Sequence, residues 1–352
     1  MTRRDLLLAA AAAAPASLAA ASSSVEVRNV RRAFHNGEHN AFTDLIRFQG
    51  RLYLTFRSCP DGHMVHPTSR ILILQSDDDG ASWSEVHRFS VPMRDVRDPH
   101  FLVFQSKLFV YSGTWYCGDS SPDSYDQNQQ LGYGVSTSDG KHWTAPRMLE
   151  GTYGHYVWRA AASDGKAYLC GRRKRGFAVT ATRAERDPIV ESALLVSEDG
   201  WNWTTAGLFQ ESYGNETAFL FEDDGAVLAV ARRGDNRTAQ LLRSRPPFDH
   251  WERTDLGQFL GGPLVAQWGD RTLVGGRNVP RGDRRTTLYW LEDGALRQCA
   301  QLPSAGDNSY PAFVEFTPQR GLLSYYSTHE KDASGRPFTA IYLADLRYTA
   351  RR

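Results

Sequence analysis

Asp79-Gly80-Ala81-Ser82-Trp83, Asp139-Gly140-Lys141-His142-Trp143 and Asp199-Gly200-Trp201-Asn202-Trp203 are three versions of one short turn, and their closing tryptophans stand sixty residues apart. A constant spacing of that size marks a repeat architecture. Each turn follows a strand-like run, Arg70–Gln75, Leu131–Ser136 or Ser192–Ser197, and leads into a second extended piece that begins at the tryptophan. The physical reading is a hairpin: the aspartate bonds turn amides, the glycine supplies positive φ, and the tryptophan packs beneath the loop.

With the turn as a ruler, the rest of the chain divides into sets of four extended segments of about five to eight residues, the pattern of propeller blades. Blade one runs from about Ala41 to Val91, blade two from Asp98 to Leu149, blade three from His155 to Phe209, blade four from Glu216 to Leu256 and blade five from Gly262 to Leu302. The last unit, Tyr310–Phe316, Gly321–Ser327 and Phe338–Asp345, is one strand short, and the orphan segment Val25–Phe34 supplies it. The expected fold is all-β, a six-bladed β-propeller of four-stranded antiparallel blades, with the ring closed by the N-terminal strand and no open sheet edge. A β-sandwich is the alternative, disfavoured by the fixed period.

The chain has 352 residues, 41% of them hydrophobic and 12% aromatic, with a formal net charge of +1. That is ample for a sizeable core, and near-neutrality argues against general nucleic-acid or membrane-surface binding. Beyond the N-terminus no stretch is long and apolar enough to span a bilayer. The start, Thr2-Arg3-Arg4-Asp5-Leu6-Leu7-Leu8 and an alanine-rich run to Ala21, reads as an export signal of twin-arginine type over residues 1–21. Residues 22–352 are read as a single domain, a periplasmic or secreted monomer. Cys59, Cys117, Cys170 and Cys299 are too few for a disulfide framework, and a Cys59–Cys117 bridge and buried free thiols both remain open. No Cys or His spacing matches a zinc site, and neither a metal nor a cofactor is expected.

In a propeller the first strand of each blade lines the central channel, so polar groups there and at the ends of second strands converge. Those positions hold Asp44; Arg57 with Asp61, His63 and His66; Arg97 and Asp98; Trp158 and Arg159; Arg172 and Arg173; Glu216; Arg232 and Arg233; Arg277; Arg284 and Arg285; and Tyr310. The excess of arginine suits a carboxylate or sulfate, which a guanidinium fork binds bidentately. Pairing with blade carboxylates such as Asp95, Asp235 and Asp283 is the competing use, and Arg172-Arg173-Lys174-Arg175 reads as a solvated loop. Trp115, Tyr116 and Trp158 could stack on a sugar face or pack between blades.

The turn resembles the Asp box of sialidases and related propellers. Only Ser76-Asp77-Asp78-Asp79-Gly80-Ala81-Ser82-Trp83 carries the full S-x-D-x-G-x-x-W pattern; Ser138 and Glu198 replace the usual aspartate in the other copies, which predicts tightened variants. Further segments resemble the sialidase-like superfamily: Asn215-Glu216-Thr217 followed by Ala231-Arg232-Arg233, Asp95-Val96-Arg97-Asp98-Pro99, Arg284-Arg285-Thr286, and Ser309-Tyr310-Pro311. The resemblance implies an exo-α-sialidase-like glycoside hydrolase acting on an acidic sugar within an oligosaccharide or polysaccharide. It implies double displacement through Tyr310 as nucleophile, Glu216 as its base, and a separate carboxylic acid that protonates the leaving oxygen.

Two positions depart from the pattern. Thr43 stands where the first arginine of the carboxylate-binding triad belongs, and the loop that carries the acid reads Cys59-Pro60-Asp61-Gly62-His63-Met64-Val65-His66. Arg57 is the candidate replacement for the arginine, and Asp44, Asp61 or His66 for the acid. Arg97, Asp98, Trp158, Arg159, Arg232, Arg233, Arg277 and Arg285 complete the candidate substrate-binding set. A polysaccharide lyase acting on uronates, with Tyr or His as base, and a non-catalytic carbohydrate-binding propeller are the rival functions.

Overall fold

The computed structural model describes residues 25–279 and 282–348. The export signal read over residues 1–21 lies outside them. The described chain forms six four-stranded sheets, each ordered from an inner to an outer strand. The inner strands are His39–Phe48, Arg94–Phe104, Tyr156–Ser163, Thr217–Phe221, Gly261–Trp268 and Asn308–Thr317. All pairings within the blades are antiparallel. Val25–Phe34 pairs with Pro337–Tyr348, Val25 opposite Tyr348, as the outermost strand of the sixth blade, so the ring is closed by the N-terminal strand. The fold is a β-propeller, as the spacing of the turns implied.

Burial follows position within a blade. The second strand of blade one, Arg51–Cys59, is buried almost throughout, while the fourth, Ser84–Phe89, is mostly exposed or half-exposed. Second strands are covered on both faces by neighbouring blades and read as apolar runs; outer strands need apolar residues on one face at most. All four cysteines are buried and unbridged.

The repeated turns staple one blade to the next. In the first, Asp78 accepts the Ser82 amide at 2.9 Å and the Ser76 hydroxyl at 2.7 Å, while Asp79 forms an ion pair with Arg47 instead. In the second and third, Asp139 and Asp199, directly before the glycine, take the amides of His142 and Asn202, each at 2.8 Å. Their hydroxyl partners shift with them, to Thr137 and Ser197, which makes each turn one residue tighter. Gly140 (φ 73°) is required twice over, because a Cβ there would stand 2.0 Å from the Tyr53 hydroxyl of the preceding blade. Trp203 likewise meets Tyr111 of the blade before it edge to face, at 5.5 Å.

Two details differ from the sequence expectation. The outer strand of blade two shrinks to Arg147–Met148, and the link between the second and third strands of blade three carries a short helix, Arg183–Arg186, between two 3₁₀ turns. More consequential is a shared irregularity. Five inner strands slip register at the same depth, between Ala41 and Asp44, Arg97 and His100, Trp158 and Ala160, Gly261 and Leu264, and Ser309 and Ala312. Phe42, Asp98 and Tyr310 occupy these bulges with positive φ (65°, 47° and 49°). A bulge re-aims a side chain that the regular pleat would send into a neighbouring blade.

At the level of the bulges the channel is plugged by Arg159, the extra residue between Trp158 and Ala160. Its guanidinium donates to Asp44 Oδ1 at 2.9 Å and to the carbonyls of Pro311 at 2.6 Å and Pro263 at 3.2 Å, joining blades one, three, five and six. Asp44 also accepts the Phe101 amide at 2.8 Å. Burial alone would raise the Asp44 pKa, but His100 and Arg159 hold it below the usual carboxylate value. Arg159→Met strands this buried charge, and the expected loss is about 3–5 kcal/mol of stability, read from urea unfolding. An unchanged midpoint would show that the plug is dispensable.

Candidate active site

A cavity of about 900 Å³ opens at the axial mouth, lined by the bulge residues Phe42, Asp98 and Tyr310. Its floor is built on Glu216, the residue before the inner strand of blade four. Glu216 accepts the Gly262 amide at 2.7 Å on Oε2, and on Oε1 the Arg232 guanidinium at 3.1 Å and, in a short hydrogen bond, the Tyr310 hydroxyl. Burial would push the Glu216 carboxyl up, but the Arg232 charge and these hydrogen bonds hold it below its ordinary value. Burial, reinforced by the charges of Asp98 and Glu216, pushes the Tyr310 phenol well above its ordinary pKa. The resting pair is therefore a neutral phenol donating to a carboxylate. Arg277 stands beside them in the cavity wall, 3.3 Å from the Asn308 carbonyl and 3.6 Å from Asp307.

Asp98 faces the cavity from the bulge of blade two. Its Oδ2 accepts both the Tyr156 hydroxyl at 2.7 Å and the Trp158 indole at 2.8 Å, while Oδ1 is buried without a hydrogen-bond partner. Burial raises its pKa to about 6, against the opposing pull of Arg97. Oδ1 is thus the atom that holds a proton or receives a ligand hydroxyl. Arg97 reaches the wall, but its Nη1 is already donated to Asp95 at 3.0 Å and to the His63 carbonyl at 2.8 Å.

Arg57 stands behind that wall. It is fully buried, binds both oxygens of Asp95 at 2.9 and 3.1 Å, and donates to the carbonyls of Gly62 and Met64. It clamps the loop after the second strand and offers no face to a ligand. Asp44 is committed to the plug, as is Arg159. Asp61 is exposed and bound to Thr68, and His66 lies against Ser121; neither lines the cavity. Arg233 is 3.8 Å from Asp255, and Arg285 is tied to Asp283 and the Ser304 carbonyl, both outside the lining, where Arg277 and Arg284 stand instead.

The loop clamped by Arg57 and Arg97 brings His63 into the cavity. Its Nδ1 is 2.8 Å from Asp307 Oδ2, which also meets His39 Nε2 at 3.2 Å. Asp307 Oδ1 takes the Tyr326 hydroxyl at 3.0 Å. Burial would raise the Asp307 pKa, but the two histidines hold it far below the carboxylate range. His39, His63 and Asp307 offer three ligand atoms within 4.8 Å of one another. The hydrogen bonds to the two histidines and Tyr326 engage both oxygens of Asp307 without an ion, and the adjacent Arg277 charge disfavours one. The buried His39 Nδ1 has no hydrogen-bond partner among the described residues. Sequence placed His63 at this mouth; Asp307 was unmarked, lying in a link between strands with no motif around it.

No family model and no curated protein matches the chain. Solved structures do. A Dyadobacter fermentans protein of unknown function aligns over 93% of this chain and 100% of its own, with 19% identity and a TM-score of 0.76. Trypanosoma rangeli sialidase in complex with sialic acid covers 92% of this chain with a TM-score of 0.61 and 15% identity, and the Hadza microbial sialidase Hz136 covers 88% with 0.66 and 13%. This chain has a sialidase-like propeller fold. It spans 58% and 66% of those two sialidases' own length.

The buried Asp98 gives a measurable signature. A free aspartate titrates near 3.9, so the folded protein holds a proton at Asp98 between about pH 4 and pH 6 that the unfolded chain releases. This term makes stability fall as pH rises through that window, by roughly 2–3 kcal/mol, and level off above it. Depressed carboxylates such as Asp199, near 2, act in the opposite sense at lower pH. The difference between wild type and Asp98→Asn in urea unfolding at pH 4, 5, 6 and 7 isolates the term; parallel curves would contradict it.

Proposed function

We propose that the protein is a glycoside hydrolase acting on an acidic sugar through a tyrosine nucleophile. The observation that carries this reading is the hydrogen bond from Tyr310 to Glu216 on the floor of a cavity flanked by Arg232 and Arg277. A phenol is a weak nucleophile at its own pKa, and a carboxylate already in contact with its proton is the base it requires. A neutral phenol also approaches an anionic sugar without the charge repulsion a carboxylate nucleophile would meet. Arg232 and Arg277 receive the sugar carboxylate.

In the first step the Tyr310 oxygen bonds to the anomeric carbon while its proton passes to Glu216. The bond to the leaving oxygen breaks, and His63 protonates that oxygen. In the second step water attacks the anomeric carbon, His63 takes its proton, and tyrosine departs with the proton held by Glu216. Three features support His63 in this role. It lies in the loop that the family resemblance assigns to the acid, it faces the cavity, and Asp307 orients its Nδ1 so that Nε2 is left for the substrate. Export to the periplasm or beyond would place such an enzyme where polymeric glycans are found.

Tyr310→Phe and Glu216→Gln should each lower kcat by about 10³-fold or more on acidic glycosides while leaving ligand affinity within a few-fold. His63→Ala should slow glycosides with poor leaving groups by about 10²–10⁴-fold and activated aryl glycosides far less. Equal losses on both substrates would remove His63 as the acid. A product with the ultraviolet absorbance of an unsaturated sugar would replace hydrolysis by elimination.

A further inference from the structure

Arg172, read from the sequence as part of a solvated loop, instead forms part of the cavity wall at the end of the second strand of blade three. Its register places it opposite Tyr156, and its guanidinium lies over the rings of Trp158 at 5.0 Å and Tyr156 at 5.6 Å. Arg232 and Arg277 occupy the corresponding strand ends of blades four and five, so the three guanidiniums form an arc along one side of the cavity. Their circumstances differ. Arg232 is paired with Glu216, and Arg277 donates to the Asn308 carbonyl. Among the described residues Arg172 has no carboxylate or carbonyl hydrogen-bond partner, and its buried Nε is unsatisfied.

Two further arginines, Arg183 and Arg186, reach the same wall from the helical excursion of blade three and share one carboxylate, Asp187, at 3.0 and 2.6 Å. Three guanidiniums against one carboxylate leave this wall positive. Burial pushes the Arg172 pKa below its ordinary value; the charges of Tyr156 and Glu216 oppose this, and those of Arg186 and Arg232 act with it. A half-buried cation with no carboxylate in hydrogen-bond contact is costly, and so is the unmade hydrogen bond of its buried Nε. A stacked guanidinium also presents its fork edge in a fixed plane, the arrangement that suits a bidentate oxyanion.

We propose that Arg172 anchors a second oxyanion, a carboxylate or a sulfate, on a glycan whose first carboxylate lies against Arg232 and Arg277. The substrate class is therefore a multiply charged acidic glycan. The inference rests on the reading of Arg232 and Arg277 as the first anion site, and Asp98, bonded to the Tyr156 and Trp158 side chains that lie under Arg172, would take a sugar hydroxyl on its free Oδ1.

Equilibrium binding in the full-length Tyr310→Phe protein, by isothermal titration, tests this independently of turnover. Three probes suffice: a methyl uronate with one carboxylate, a diuronate with two, and a uronate disaccharide with one carboxylate and one O-sulfate. At least one doubly charged probe should bind about tenfold tighter than the methyl uronate, and which one does so distinguishes carboxylate from sulfate. Arg172→Gln should erase that preference and leave the methyl uronate unchanged, and Arg172→Lys should recover part of it; circular dichroism verifies the fold of each. Equal affinity for all three probes overturns the proposal. So does an Arg172→Gln loss as large on the methyl uronate, which would assign Arg172 to the first carboxylate. Failure of the hydrolase reading appears separately, as absent turnover by the wild type with the binding preference intact.

Discussion

A buried carboxylate must be given donors, and the centre of this propeller is arranged around that constraint. Glu216, Asp44, Asp95 and Asp98 are all buried on the axial side, and Asp307 lies beside them. Their partners come from other blades: Gly262 and Tyr310 reach Glu216, Arg159 and Phe101 reach Asp44, Arg57 reaches Asp95, and Tyr156 and Trp158 reach Asp98. Each acid is thus a joint between blades, and the blades can take up this geometry only when the ring is closed. The N-terminal strand that completes blade six therefore acts on the site at a distance, because it fixes Tyr310 relative to Glu216, 94 residues earlier in the chain.

The same constraint separates arginines that build from arginines that bind. A guanidinium whose three nitrogens all donate to protein oxygens, as with Arg57 and Arg159, holds loops and strands together rather than binding a ligand. Arg232 and Arg277 retain donors beyond those bonded to protein, and Arg172 spends none on an oxygen of the described residues. The buried Nε of Arg172 and the orphaned Oδ1 of Asp98 are polar atoms whose cost of burial is offset only when something occupies the cavity.

The fold was legible because turn spacing is a one-dimensional signal. The sixty-residue period, the three-strand final unit and the orphan Val25–Phe34 led to a closed ring of six sheets. Tyr310 and Glu216 were legible as motif residues at strand starts. What failed was the choice among charged residues of one blade. Asp44, Asp61, His63 and His66 all stand on or just after the first two strands of blade one, and sequence does not reveal which side chain a bulge turns inward or which loop an arginine clamps. Arg172 was misassigned for the same reason: a run of four basic residues looks solvated, yet alternation along a strand sends Arg172 and Arg173 to different surroundings. Asp307 gave no signal because its partners His39 and His63 stand more than two hundred residues away.

The account turns on Tyr310 acting as a nucleophile through the proton it shares with Glu216. The most direct test is mass spectrometry of the intact protein and its peptides after exposure to an acidic glycosyl fluoride carrying a second fluorine next to the anomeric centre, which slows release of a covalent intermediate. The account predicts one added sugar per chain, carried by the peptide that contains Tyr310 and absent from Tyr310→Phe. Turnover of the parent sugar with no adduct, or an adduct on any other residue, would contradict it.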